Sequence, residues 1–375
     1  MIIGVLKEPA FENRVSMLPD SVTALIKKGV ELRVERDAGL NAAAPNDSYT
    51  AVGATIHPRQ EILRAANILL SIHPLPDEEI PFLHDTVLVG VYQPLFNTAL
   101  MHTWAEANLT TFSLDMLPRT TRAQAMDVLS SQANIAGYKA AVLAANLLPR
   151  YFPMLMTAAG SIPPARVLIL GAGVAGLQAI ATSRRLGAVV EVFDTRPAVR
   201  EEVMSLGGKF IEVEGAANAA NGKGYAVEQS AAFLEKQRQK IADTMAKADV
   251  VITTAQIPGK KAPVLVSTDM ISGMKPGSII IDLAASTGGN TAVTENNKTI
   301  DYQGIKIIGQ SNLPSEMPFD ASRLYGKNVL NFLSLIIGKD GTLSVDFADD
   351  LIRGCCITNG GLVKQERLNT LPGQK

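Results

Sequence analysis

The sequence is poor in the residues that carry most metal and nucleophile chemistry. Its 375 residues include two cysteines, four histidines and one tryptophan. The cysteines, Cys355 and Cys356, are adjacent, and neighbours in sequence rarely bridge each other. That excludes a disulfide framework and suits a reducing compartment. Two small buried side chains are expected there rather than a redox pair. His57, His73, His84 and His102 form no metal-spaced cluster, and there is no Cys/His zinc pattern. No G-x-S-x-G and no nucleophile–base pair stands out. Charge of one sign is also missing: 35 Lys and Arg face 36 Asp and Glu, for a net charge of −1. Without a basic stripe, nucleic acid and anionic membrane surfaces are not expected as partners. Finally, there is no long apolar run. Val329 to Ile337 is broken by Asn331 and Ser334, well short of the ~20 residues a spanning helix needs. The start, MIIGVLKEPAFENR, meets charge at Lys7 and offers no small-residue cleavage site, so no signal peptide is expected.

What is present is apolar bulk. Hydrophobic residues make up 47% of the chain and mean hydropathy is +0.14, enough for deep cores, a large subunit interface, or both. The length suits two domains. Short β-branched runs alternate with helical segments. MIIGVLKE, ELRVER, NILLSI, VLVGVY and LTTFSL read as strands, with helices around Pro19–Lys28, Asp47–Val52, Gln60–Ala66 and Thr98–Ala107. A long helix is expected from Thr121 to about Leu148, with Gly137 its weak point. RVLIL, AVVEVF, KFIEV, DVVITTA, SIIIDLA and IKIIG continue as strands of a second unit. From Asp320 another helix could return the chain to the first domain, and the tail reads as irregular. This alternation predicts an α/β chain of two Rossmann-like domains with parallel sheets, joined by long helices. The expected domains are residues 1–128 plus 318–375, and residues 129–317.

Three glycines concentrate the chemistry. In VLILGAGVAGLQAI, Gly171, Gly173 and Gly176 form G-x-G-x-x-G between a strand and a helical pattern. Asp194 follows 23 residues after Gly171, at the end of the next strand. Together these make a dinucleotide fingerprint. Gly171 permits the tight turn, Gly173 lets backbone approach a pyrophosphate, and Gly176 lets helix and strand pack closely. The helix N-terminus offers unpaired N–H groups to phosphates. A glycine turn without a ligand is the plainer alternative. Asp194 would accept from ribose hydroxyls and repel a 2′-phosphate, which favours NAD over NADP. Arg196 complicates this: it could pair with a 2′-phosphate, stack on adenine, or form a salt bridge with Asp194.

The segment PRTTRAQAMDVLSSQANIAGY (118–138) gathers polar groups at the expected domain junction. On one continuous helix, Gln124, Asp127 and Ser130 would share a face, with Arg119 just before it. Such a set can hold a ribose and a carboxamide. Alternatively, Thr121-x-x-Gln124 is a capping box and Asp127 a solvated helix residue. A dehydrogenase acting on an alcohol or amine must move a proton as well as a hydride. Here only His73 offers itself as a base, and a lone histidine beside Pro74 is more often a strand-end residue. Hydride transfer between two nicotinamides needs positioning alone.

PPARVLILGAGVAGLQAIATSRRLGA, MLPRTTRAQAMDVLSSQANIAGY, GKGYA, TTAQIPGKKAPVL and IIDLAASTGGN closely resemble the NAD(H)-binding domain of proton-translocating nicotinamide nucleotide transhydrogenase. The resemblance covers residues 1 to about 357. It implies that Arg119, Gln124, Asp127 and Ser130 surround the nicotinamide and its ribose, the first three serving hydride transfer. It implies that Gly171, Ala172, Gly173 and Val174 form the pyrophosphate turn with Gly176 behind it. Asp194, Thr195 and Arg196 then serve the adenosine end, as does Gln237. Gly224 and Tyr225 match the tip of a mobile loop, in keeping with the Gly-, Ala- and Asn-rich run 214–224. Gln256 matches a nucleotide contact where the family more often has an apolar residue. The family further implies a homodimer that carries NAD(H), with NADP(H) held on a partner component and proton translocation in a membrane-spanning one. This chain would lie on the cytoplasmic face, or the matrix face in an organelle, without inserting into the membrane. Alanine dehydrogenase shares the fold but carries a Lys in the strand matching 68–73, a His near 93 and an Asp before Gly288–Gly289. Those places read Ser71, Gln93 and Ser286, which argues against amino-acid oxidation.

Overall fold

A computed structural model describes residues 1–213 and 231–369. Contacts divide the chain into two units, Met1–Gln132 with Pro314–Lys375, and Ala133–Leu313. The first unit opens with β1 (Ile2–Val5), α1 (Pro19–Ile26), β2 (Glu31–Glu35), α2 (Asn46–Thr50), β3 (Thr55–His57) and α3 (Arg59–Ala65). It continues with β4 (Ile68–Leu70), β5 (Val87–Gly90), α4 (Thr98–Glu106) and β6 (Thr110–Ser113). The boundary with the second unit falls inside α5 (Val128–Leu147). That unit holds the hairpin β7 (Leu155–Thr157) and β8 (Gly160–Ile162), then β9 (Arg166–Leu170), α6 (Val174–Arg185), β10 (Val189–Phe193), α7 (Arg200–Ser205) and β11 (Lys209–Phe210). After these come α8 (Ala231–Met245), β12 (Val250–Thr253), α9 (Thr268–Ser272), β13 (Ile279–Asp282), β14 (Thr299–Tyr302) and β15 (Ile305–Ile308). The chain ends with α10 (Pro318–Ile336), α11 (Asp350–Cys355), β16 (Cys356–Asn359), β17 (Leu362–Val363) and α12 (Glu366–Asn369), all in the first unit.

Each unit is built on one sheet of the same plan. The first runs β17-β16-β6-β5-β4-β1-β2-β3 and the second β11-β10-β9-β12-β13-β15-β14. Strands β1 to β6 pair in parallel, and so do β9 to β13 with β15. In each, the strand order reverses beside the first strand, between β1 and β4 and between β9 and β12. Such a reversal leaves a crevice at the carboxyl ends of the strands, where ligands of this architecture bind. The sequence pattern follows from the layering. Strands covered by helices on both faces have no solvent side, so β12 (VVIT) and β13 (IIID) are buried at every position. Apolar cores fill both faces of the first sheet and of the second.

Three expectations need correction. The helix expected from Thr121 to Leu148 is interrupted: a 3-10 turn covers Thr121–Met126, Asp127 leaves helical geometry with ψ 88°, and α5 begins at Val128. Asp127 causes the break, because its carboxylate takes hydrogen bonds from the first turn of α5. Gly137 is not a weak point of that helix. A Cβ there would sit 2.0 Å from the Ala175 carbonyl oxygen, so glycine is what lets α5 approach the start of α6. The tail is not irregular, since α11, β16, β17 and α12 occupy it. β16 extends the first sheet antiparallel to β6, a pairing between segments so distant in sequence that no local pattern announces it. Cys355 and Cys356, at the join of α11 and β16, are buried free thiols. Burial raises both pKa values, that of Cys356 to about 12, so neither is a reactive thiolate.

Candidate functional site

In the second unit, β9 leads through a short turn into α6. Gly171 has φ +105°, a conformation L side chains avoid. A Cβ on Gly176 would lie 1.9 Å from the Gly171 carbonyl oxygen, so helix and turn touch backbone to backbone. Gly173 is the N-cap of α6 and a Cβ there would meet nothing within 4 Å. The turn therefore places its backbone beside free space at Gly173, while the Ala172 N–H is engaged. It donates to Asp194 Oδ2 at 2.7 Å. Asp194 follows β10 directly, and its side chain is 6% exposed. Its Oδ1 accepts from Arg196 N–H at 2.8 Å and from Arg196 Nε at 3.0 Å, and Arg196 NH2 reaches Oδ2 at 2.9 Å. Of the roles open to Arg196, the salt bridge is the one formed in this structure. Thr195, between them, is half-buried.

Both glutamines expected at the nucleotide site, Gln256 and Gln237, belong to the same unit. Gln256 follows β12, is exposed, and donates from Nε2 to the Leu283 carbonyl at 2.9 Å. Gln237 lies on α8 with 7% exposure, and its buried Oε1 has no hydrogen-bond partner among the described residues. An unpaired buried amide oxygen is costly, and a ligand hydroxyl is one group that would satisfy it. Gly224 and Tyr225 lie outside the described residues.

Residues 119–130 of the first unit are arranged differently from the sequence expectation. Arg119 and Gln124 are exposed, and Gln124 lies in the 3-10 turn. The three polar groups Gln124, Asp127 and Ser130 do not share one helical face. Asp127 instead caps α5, with Oδ1 accepting from Ser130 N–H at 2.9 Å and Oδ2 from Ser130 Oγ at 2.6 Å. The Thr121–Gln124 capping box is not formed; Thr120 starts the turn without a side-chain cap. The turn is anchored by α10, whose Asn328 and Asn331 both donate to the Ala125 carbonyl, at 2.8 and 3.0 Å.

The reversal point of the first sheet is filled by side chains that sequence reading largely missed. Glu8, just past β1, accepts from Ile72 N–H at 2.5 Å and His73 N–H at 3.1 Å, just past β4. Burial raises its pKa from 4.5 to about 7 against these hydrogen bonds and the nearby His73. Glu12 is also buried, which alone would raise its pKa. Hydrogen bonds from Arg14 and His73 outweigh that and hold it well below the usual carboxylate range. Arg14 grips Glu12 through NH2 at 2.6 Å and Nε at 2.8 Å, and its NH1 donates to Gln132 Oε1 at 2.8 Å. His73 is thus a partner of Glu12, with Nε2 to Oε2 at 2.9 Å. Ser71 is buried and donates to the His73 carbonyl at 2.8 Å. The signal is the ENR triplet, two opposite charges two residues apart close to the end of the first strand; its Arg14 is common to transhydrogenases and alanine dehydrogenases and so does not separate them. Among the described residues no His, Cys, Asp and Glu group could hold a metal ion, and no helix is long and apolar enough to cross a membrane.

Known proteins are similar to this chain in sequence and in fold. The alanine dehydrogenase/PNT N-terminal domain family matches residues 4–136, and the corresponding C-terminal domain family matches residues 140–366. The chain is 40% identical over 365 residues to NAD(P) transhydrogenase subunit alpha of Haemophilus influenzae, covering 96% of this chain and 71% of that protein. It is 43% identical over 362 residues to a shorter NAD(P) transhydrogenase alpha-subunit polypeptide of Rhodospirillum rubrum, covering 94% of each. It is 27% identical over 376 residues to alanine dehydrogenase of Bacillus subtilis, covering 98% of this chain and 93% of that protein. A crystal structure of transhydrogenase from Sinorhizobium meliloti superposes with a TM-score of 0.89 at 40% identity, over 97% of this chain and all of that one (100%).

Proposed function

Because this chain belongs to the alanine dehydrogenase/PNT family, we propose that it is the NAD(H)-binding component of a proton-translocating transhydrogenase. In this reading it exchanges a hydride with NADP(H) held on a partner component. The observation that carries the proposal is the glycine turn between β9 and α6, with free space at Gly173 and a carboxylate at the end of β10. The residues present fit a dinucleotide. Open N–H groups at the α6 N-terminus suit a pyrophosphate. Asp194 and the unpaired Gln237 oxygen suit ribose hydroxyls. The bound nicotinamide would supply the hydride; the chain's own residues bind, orient and exclude.

Asp194 has two tasks in this reading. Its Oδ2 holds the glycine turn through Ala172 N–H, and its charge disfavours a 2′-phosphate, so NAD(H) is preferred over NADP(H). The Arg196 guanidinium has to leave the carboxylate before a ribose can use it. Thr195 stays beside the adenosine end. Arg119, Gln124, Asp127 and Ser130 are assigned to the nicotinamide and its ribose by the family resemblance. Asp127 and Ser130 are already rigid, because each fixes the other at the start of α5, and rigid donors and acceptors favour orientation. Gln256, Gly224 and Tyr225 complete the assigned contacts. No acid–base group is required for hydride exchange between nicotinamides, in keeping with Ser71, Gln93 and Ser286 where alanine dehydrogenases carry Lys, His and Asp.

The proposed setting is a homodimer of this chain on the cytoplasmic or matrix face of a membrane, joined to NADP(H)-binding and membrane-spanning components. The test is to mix the purified chain with an NADP(H)-binding component and follow hydride transfer from NADH to an NADP+ analogue. Transfer that depends on both components supports the reading. Reduction of NAD+ by alanine without any partner would assign the chain to amino-acid oxidation instead.

A further inference from the structure

Two loops leave the carboxyl ends of β12 and β13, and one side chain joins them. Asn290 is fully buried. Its Oδ1 accepts from Ala255 N–H at 3.0 Å, and its Nδ2 donates to the carbonyls of Ala255 and Pro263, both at 2.8 Å. A primary amide is the group that can satisfy one backbone donor and two acceptors at once. Its own backbone is held as well. Asn290 N–H donates to Asp282 Oδ2 at 2.6 Å, and its carbonyl accepts from Leu265 and Val266 N–H at 2.8 and 3.0 Å. Asp282, at the end of β13, also accepts from Ala284 N–H at 2.9 Å and Thr294 Oγ1 at 2.7 Å. The approach to Asn290 runs through Gly288 and Gly289, at φ +103° and +79°. A Cβ on Gly289 would lie 2.8 Å from Asp282 Oδ2.

The segment fixed in this way is the one beside the glycine turn. Ala255 lies between Thr254, whose Oγ1 donates to the Gly171 carbonyl at 3.1 Å, and Gln256, which bonds to Leu283. In a sheet ordered like this one, a dinucleotide lies across the reversal point. Its adenosine half lies over the first strands, here β9 to β11, and its other half over β12 onward.

We propose that Asn290 is a positioning residue for the nicotinamide half of the ligand, acting by holding Thr254–Ala255–Gln256 against the glycine turn. This rests on the dinucleotide reading above. It concerns a residue that does not touch the ligand and that the sequence reading gave no role, although it closes the segment IIDLAASTGGN. The adenosine half depends on Gly173, Asp194 and Gln237, none of which Asn290 contacts.

The experiment measures affinities for NADH, by its own fluorescence, and for ADP, by competition. ADP carries the adenosine and pyrophosphate but lacks the nicotinamide half. Asn290→Ala is expected to weaken NADH binding about tenfold and ADP binding less than twofold, so the ratio of the two changes about tenfold. A ratio equal to that of the wild type, whether both affinities persist or fall together, overturns the proposal. Asn290→Ser keeps an acceptor but not both donors, and carries the same ratio test if the alanine variant does not fold. Wild-type protein that binds neither NADH nor ADP would refute the dinucleotide reading itself, an outcome distinct from an unchanged ratio.

Discussion

The two sheets share the order of their first five strands and treat their reversal points in opposite ways. In the second unit only the Gly171–Gly173 turn separates β9 from α6, and the backbone there faces open space. In the first unit, residues 6–18 intervene between β1 and α1. They fill the crevice with Glu8, Glu12 and Arg14, met by His73 from the end of β4. One crevice is lined by bare backbone, which suits phosphate. The other is closed by a buried ion pair that satisfies itself. Topology supplies a crevice, and the residues at the first turn decide whether a ligand or the protein's own side chains occupy it.

The largest way to break this comparison is to remove the first unit's filling. Arg14→Leu removes the guanidinium from the buried Glu12 carboxylate, which His73 also faces. Removing one member of a buried pair costs about 3–5 kcal/mol, read as a lower denaturation midpoint. Next in size is a pH effect. With its pKa raised to about 7, Glu8 keeps in the folded protein a proton that the unfolded chain releases near 4.5. The folded state then binds more protons across that window, so stability falls as pH rises from about 4.5 to about 7. The full effect is on the order of 3 kcal/mol. Denaturant titrations at pH 5 and pH 7.5 should show this fall in the wild type and a flatter profile in Glu8→Gln. A steeper fall in the variant would contradict it.

The second crevice separates two glycines. Gly176→Ala drives a Cβ into the Gly171 carbonyl, and such overpacking costs about 1–3 kcal/mol; stability and NADH binding should both fall. Gly173→Ala has space for its Cβ and a φ of −79° that any residue adopts. Its melting temperature should match the wild type while NADH binding weakens, because the methyl takes up the space left for phosphate. The smallest effect is expected at the cap of α5. Asp127→Ala should cost about 1 kcal/mol, and Asp127→Asn almost nothing, since asparagine caps equally well. If Asp127 also serves the nicotinamide end, Asp127→Asn slows hydride transfer roughly tenfold with stability intact. Equal rates would leave the residue a helix cap only.

Much of the fold was legible in the sequence because parallel strands buried on both faces write themselves as apolar runs. VVIT and IIID could hardly be anything else. The glycine turn was legible because Gly171 and Gly176 answer steric demands that a Cβ would violate, while Gly173 keeps space open beside the backbone. The break at Asp127 was hidden, because a carboxylate that caps a helix and one that sits inside it share the same spacing. The pairing of β16 with β6 was hidden by sequence distance. Asn290 closes the segment IIDLAASTGGN, but its role was hidden because its side-chain partners are backbone groups, which carry no signature in the sequence.

The central claim is that the second unit's crevice, and not the first's, takes one nicotinamide dinucleotide and selects it by Asp194. Equilibrium titration with NADH and with NADPH, followed by nucleotide fluorescence, tests it directly. One NADH per chain is expected, with NADPH bound roughly tenfold more weakly or worse, through repulsion of the 2′-phosphate by the carboxylate. Two NADH per chain, or NADPH bound as tightly as NADH, would contradict it.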